Sequence, residues 1–120
     1  MKRAFLICPV RGIPPETWQR YVREIELRGD IVHLHFPPRD TDQEDETGYR
    51  ICQDNLEALK KADVVFVIWD GKSQGCLFDL GMAFALGKEV IPLQLPPETE
   101  GKSFQNMIQA WADLAKDGGE

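Results

Sequence analysis

Short, wholly apolar runs alternate with segments of helical period along this chain, and that alternation leaves few folds open. Ala4–Cys8 reads AFLIC and is bounded by Pro9 and Gly12. Ile31–His35 follows, closed by Phe36-Pro37-Pro38, then Val64–Trp69 (VVFVIW) and Val90–Leu93. Continuous apolar runs of this length suit strands buried on both faces. Between the first two runs, Trp18, Tyr21, Val22 and Ile25 recur at helical spacing behind Pro15, which a first helical turn tolerates, and Gly29 ends the pattern. A second helix is predicted over about Gly48 to Ala62, with Cys52, Leu56 and Leu59 on one face. A third covers about Cys76 to Leu86. After a linker from Pro96 to Lys102, a last amphipathic helix carries Phe104, Met107, Ile108, Trp111 and Leu114.

Strands that alternate with helices imply parallel pairing and right-handed crossovers. The expected fold is therefore α/β, a single flavodoxin-like (Rossmann-like) parallel sheet in the order 2-1-3-4 with helices on both faces. One domain over residues 1–116 accounts for the whole pattern, leaving 117–120 as a tail. In such sheets the ligand crevice opens beyond the carboxyl ends of the strands flanking the switch point. Strands 1 and 3 flank it here, which selects the loops Pro9–Gly12 and Asp70–Gly75.

Composition narrows the partners. The net charge is −6 and acids crowd into Asp40–Glu46, so a nucleic-acid polymer, which needs a basic footprint, is not an expected partner. A small anion is not excluded, because a pocket can be locally positive. Three scattered cysteines, Cys8, Cys52 and Cys76, suit neither a disulfide framework nor a zinc knuckle and point to a reducing cytoplasm. The apolar run after Lys2-Arg3 stops at Pro9, so no secretory leader is expected, and no run is long enough to cross a bilayer.

The residues with chemical promise sit at the crevice. Ser73, Gly75 and the N–H groups of the third helix's start can hold a phosphate, or Ser73 and Asp70 can simply cap and turn the chain. Spacing leaves both open, since no Walker A pattern is present. Asp79 falls in the first turn of that helix, where the dipole favours its charge. It reads as a nucleophile or base at the crevice mouth, or as an ordinary first-turn acid. Arg11 can pair with a phosphate or carboxylate, and Gly12 admits a ligand to the backbone. Arg39 and Asp40, after strand 2, can close over a ligand or remain solvated loop charges, and the long loop Arg39–Thr47 reads as a mobile flap. His33 and His35 share a strand face, but two ligands make a poor metal site, and neither metal nor cofactor is expected. Tyr49 and Trp69 can stack a base or pack.

These motifs together resemble the nucleoside 2-deoxyribosyltransferase family, including its deoxynucleoside-monophosphate N-glycosidase branch. The likeness rests on Cys8-Pro9-Val10-Arg11-Gly12, on Asn55–Val67 with Ala62-Asp63 before the strand, and on Ser73-Gln74-Gly75-Cys76-Leu77-Phe78-Asp79-Leu80-Gly81 followed by Ala83, Ala85, Gly87 and Lys88. It spans roughly residues 4–93 and is densest from Asn55 to Val90. The resemblance implies N-glycosidic chemistry on a small nucleoside or nucleotide. A carboxylate attacks the anomeric carbon, the base leaves, and water or a second base takes the sugar. It places Asp79 at the nucleophile position and Ser73 and Gly75 where the monophosphate branch holds a 5′-phosphate. It also implies a homodimer or larger assembly.

Two departures bear on activity. The family's nucleophile is usually Glu, one methylene longer than Asp79. Asn55 stands where many relatives place an assisting Asp, and an amide cannot transfer a proton as a carboxyl does. Asp54, Asp70 or Asp40 would have to substitute. The expected function is cleavage or exchange of the base of a (deoxy)nucleoside or its 5′-monophosphate through Asp79. The alternative is a catalytically impaired nucleotide-binding or sensing module that uses the same pocket.

Overall fold

The computed structural model describes residues 1–117. In chain order the elements are β1 (Lys2–Ile7), α1 (Pro15–Glu26), β2 (Ile31–His35), α2 (Pro37–Asp40), α3 (Tyr49–Lys61), β3 (Val64–Ile68), α4 (Gln74–Ala85), β4 (Glu89–Gln94) and α5 (Phe104–Asp117). The four strands form one parallel sheet in the order β2-β1-β3-β4, as the alternation required. The expected tail starts at the last residue of α5, and 118–120 lie outside the described residues.

Strand alternation sorts the core into two layers. Phe5, Ile7, Val65, Val67 and Trp69 face α3, α4 and α5, where they pack with Leu59, Cys76, Leu80, Ala83 and Ile108. Ala4, Leu6, Val64, Phe66 and Ile68 face α1, meeting Val22 and Ile25. Ala4–Ile7 of β1 and the whole of β3 are thus buried on both sides, which is why these stretches carry no polar alternate. Pro92 lies in β4, an edge strand, where its missing N–H disturbs one ladder only.

The Ala62-Asp63 pair has a register role. The Asp63 N–H donates to the Arg3 carbonyl at 2.8 Å, and its carboxylate accepts the Arg3 N–H at 2.9 Å. That two-point clamp locks the start of β3 against β1. The far end of α4 closes with a Schellman motif. Gly87, at φ +69°, donates to Phe84 O, and Lys88 donates to Ala83 O.

Two boundaries differ from expectation. Pro37-Pro38 do not stop the chain after β2; they occupy the first turn of α2, where proline's fixed φ is preorganised. The third helix starts at Gln74, two residues earlier than expected, because Ser73 caps it and the Trp69 indole N–H donates to Ser73 O at 3.1 Å.

Candidate active site

The early start of α4 moves Asp79 from the first helical turn to the second. Dipole stabilisation fades within the first turn, so it does not govern this carboxylate. Burial against α3 does. It pushes the Asp79 pKa up from 3.8 to about 6, and the facing Asn55 amide only partly offsets the rise. Asp79 is half-buried, with Phe78 beside it exposed on the helix's outer side.

Asn55 is 4% exposed and comes from the middle of α3. Its Oδ1 accepts the Thr41 hydroxyl at 2.9 Å, and Thr41 Oγ1 lies 2.9 Å from His35 Nε2. The His35 ring is stacked on Phe5 at 5.3 Å, and burial lowers its pKa. Cys52 of α3 and Cys76 of α4 also sense the Asp79 charge. Burial raises both thiols, Cys76 to about 11. Asp79 thus faces an amide and two protonated thiols rather than a second carboxyl.

The loop before α4 is built by Asp70. Its Oδ1 accepts the N–H groups of Lys72 and Ser73 at 2.9 and 2.8 Å. Burial opposes that charge, but the two donors outweigh it and hold the carboxyl below its ordinary range. Ser73 Oγ accepts the Cys76 N–H at 3.3 Å, the role of an N-cap. Its hydroxyl hydrogen remains able to donate. A Cβ built on Gly75 would meet nothing closer than Ser73 Oγ at 4.0 Å, so the space over this backbone is open. Arg11 and Gly12 are exposed in the bend after β1, and Gly12 adopts φ +86°, a region other residues avoid.

Arg39 and Asp40 are turned elsewhere. The Arg39 guanidinium reaches Glu26 of α1 at 3.1 Å, Leu34 O at 3.1 Å and Asp40 at 2.9 Å. It lines a cleft with Trp18, Val22 and Phe36 on the α1 side of the sheet, while Asp79 lies on the other side. Asp40 accepts the Phe36 N–H at 2.8 Å, which closes its own short helix. Burial works against its charge, and Arg39 and that N–H more than compensate. The strand 2 edge therefore supplies Thr41, not these two charges, toward Asp79. Asp54 is exposed and ion-paired to Arg50. Asp54, Asp70 and Asp40 are each held by other partners, and none takes the place of the assisting acid.

The loop expected as a flap is braced. Gln43 donates to Pro37 O and Thr41 O, Arg50 donates to the carbonyls of Asp42 and Glu44, and Asp45 accepts the Ile51 N–H at 3.0 Å. Trp69 is buried, whereas Tyr49 is 70% exposed at the start of α3. His33 and His35 both line a cleft against Asp54, Glu57 and Lys61 of α3. Two clefts of about 590 Å³ lie along α5, at a distance in the fold from Asp79. Thr41 and the relay it carries went unread in the sequence. The available signal was a lone hydroxyl set between Asp40 and Asp42 at the end of α2.

The profile of the nucleoside 2-deoxyribosyltransferase family matches residues 15–109, well over half the chain. No curated protein matches it in sequence. Among solved structures, the 2-deoxyribosyltransferase from the psychrotolerant bacterium Bacillus psychrosaccharolyticus superposes with a TM-score of 0.63 at 20% identity. The superposition covers 93% of this chain and 89% of that one. At that identity the likeness establishes a shared fold.

Proposed function

This chain belongs to the nucleoside 2-deoxyribosyltransferase family, and from that premise we propose that it breaks the N-glycosidic bond of a deoxynucleoside, preferably as its 5′-monophosphate, with Asp79 as nucleophile. The observation that carries the reading is the placement of Asp79: half-buried, aligned by an amide, and with a pKa near 6. A carboxylate so placed is ionised at neutral pH yet poorly solvated, which favours attack on a carbon that gathers positive charge.

In this reading an Asp79 oxygen bonds to the anomeric carbon as the carbon–nitrogen bond breaks, and the base departs with the electron pair. Water or a second base then displaces the carboxylate. Asn55 orients Asp79 but gives no proton, so the leaving base takes its proton from solvent. Bases that leave readily as anions are therefore the better substrates. The 5′-phosphate is supported by the N–H groups at the α4 start, the Ser73 hydroxyl and the open space over Gly75. Arg11 lies on the neighbouring loop and can add a charged donor. A homo-oligomer is supported by α4, which carries exposed Phe78 on the face opposite Cys76, Leu80 and Ala83. No helix among the described residues is long and apolar enough to cross a membrane. Free cysteines at Cys8, Cys52 and Cys76 suit a reducing compartment such as the cytoplasm.

A nucleotide-binding module without turnover is the second reading, favoured by the absence of an acid at Asn55. Matched deoxynucleosides and monophosphates, incubated with the protein and assayed for free base, separate the two. Base release whose kcat/KM rises with pH through about 6 supports the enzyme. Calorimetric binding of monophosphates with no base released supports the module. Equal affinity for each nucleoside and its monophosphate removes the phosphate from either reading.

A further inference from the structure

We propose that His35 and Thr41 are positioning residues for Asp79, fixing the Asn55 amide so that its NH2 end faces the carboxylate. The proposal rests on Asp79 being the working carboxylate of the proposed function, but its geometry is independent of turnover.

An amide presents two ends of nearly equal shape and opposite character. With NH2 toward Asp79 it stabilises the charged nucleophile; with Oδ1 toward Asp79 it repels that charge. Thr41 decides between them. Its hydroxyl has one hydrogen, and Asn55 Oδ1 can only accept, so the 2.9 Å contact is a bond from Thr41 to Asn55. Thr41 Oγ1 must then accept at its other contact, 2.9 Å from His35 Nε2, which requires a hydrogen on that nitrogen. The direction of donation is thereby set from His35 to Thr41 to Asn55 Oδ1, which leaves the amide's NH2 end, and not its oxygen, for the Asp79 charge.

Packing holds both ends of the relay. His35 is stacked on buried Phe5 with the ring planes 19° apart, and Thr41 is 5% exposed. Asp40, His33, Arg39 and Asp54 surround the imidazole, two acids against two bases. Protonation of His35 would keep the hydrogen on Nε2, so the relay persists across its titration. Around Asp79 the ionisable neighbours are Cys52 and Cys76, whose thiols burial keeps protonated. The relay joins β2, the loop after α2, α3 and α4, so its members become neighbours only on folding.

The test compares Thr41→Val, which keeps the shape and loses the hydroxyl, with Thr41→Ser, which keeps the hydroxyl. The carbon NMR shift of the Asp79 carboxyl is followed against pH in ligand-free protein. Thr41→Val should move the Asp79 midpoint upward by about half a pH unit or more, and Thr41→Ser should restore it. If turnover is present, Thr41→Val should lose roughly three- to tenfold in kcat/KM at acid pH and little at pH 8. An unmoved midpoint in folded Thr41→Val overturns the proposal. Nitrogen NMR of His35 in the unaltered protein gives a check that needs no variant. A neutral ring protonated at Nε2 supports the relay, and one protonated at Nδ1 overturns it. A shifted midpoint in a protein that releases no base would uphold the relay while removing Asp79 as nucleophile.

Discussion

Asp79 is charged where the fold would prefer it neutral. Its pKa rises from 3.8 to about 6 on folding, so between those values the folded state binds a proton that the unfolded chain has already lost. Stability therefore falls as pH rises through this window, by about 3 kcal/mol at most. Asp79→Asn should stabilise the protein above pH 6 and change it little at pH 4, read from urea unfolding at both values. The same variant should lower base release by several orders of magnitude, since an amide cannot serve as the nucleophile. A variant that is inactive but no more stable at pH 8 would mean the raised pKa is mistaken. The sequence made Asp79 conspicuous through its place in a motif, yet it misjudged what sets its charge. Gln74 and Gly75 read as loop because glycine weakens a helix. Once they join α4, Asp79 moves beyond reach of the dipole and burial dominates. The Thr41–Asn55 bond was illegible for another reason: it joins residues fourteen apart through a loop without periodicity.

The start of α4 combines two duties that substitution can separate. Ser73→Ala removes the cap on the Cys76 N–H and should cost about 1 kcal/mol of stability. Ser73→Asp keeps a capping oxygen and improves the match to the dipole, so its stability should stay near that of the unaltered protein. Its added charge would, however, repel a phosphate. If the helix start holds the 5′-phosphate, Ser73→Asp should lose at least about tenfold in preference for monophosphate over nucleoside by calorimetry. An unchanged preference would assign Ser73 to capping alone. At this scale the strands were the most legible elements, because Ala4–Ile7 and β3 are buried on both faces and their composition says so directly. The short α2 was not legible. Pro37-Pro38 mean a stop or a first turn, and only Asp40 accepting the Phe36 N–H makes them the latter. The same turn commits Arg39 to Glu26 of α1 and Asp40 to Arg39 and the Phe36 N–H, contacts that the sequence did not show.

Topology was readable for the whole molecule because alternation and the handedness of crossovers admit few sheets. Assembly was not readable, because a face that binds a second copy looks in sequence like a face that binds the core. In α4 the ambiguity becomes an argument. Gln74 and Asp79 are the only polar side chains from Gln74 to Ala85, yet just one side of the helix is covered by the sheet, through Cys76, Leu80 and Ala83. A helix apolar all round is normally buried all round. Phe78, on the side away from those three residues, is 57% exposed, and Tyr49 of the adjoining α3 is 70% exposed, while Phe84 rests edge-on against Trp111 of α5. A two-fold contact between α4 helices of two copies would cover this face and bring the partner's surface beside Asp79. Every residue in such a contact counts twice. Burying one phenylalanine is worth about 1.5–3 kcal/mol, so Phe78→Glu should weaken a dimer by at least about a hundredfold. Sedimentation should show the unaltered protein at twice 13.7 kDa and Phe78→Glu at that single mass. The unaltered protein's thermal midpoint should also rise with concentration, and the variant's should not. If base release disappears with the dimer while the variant stays folded, the partner completes the site. A monomeric unaltered protein that still releases base would leave the exposed Phe78 without this role.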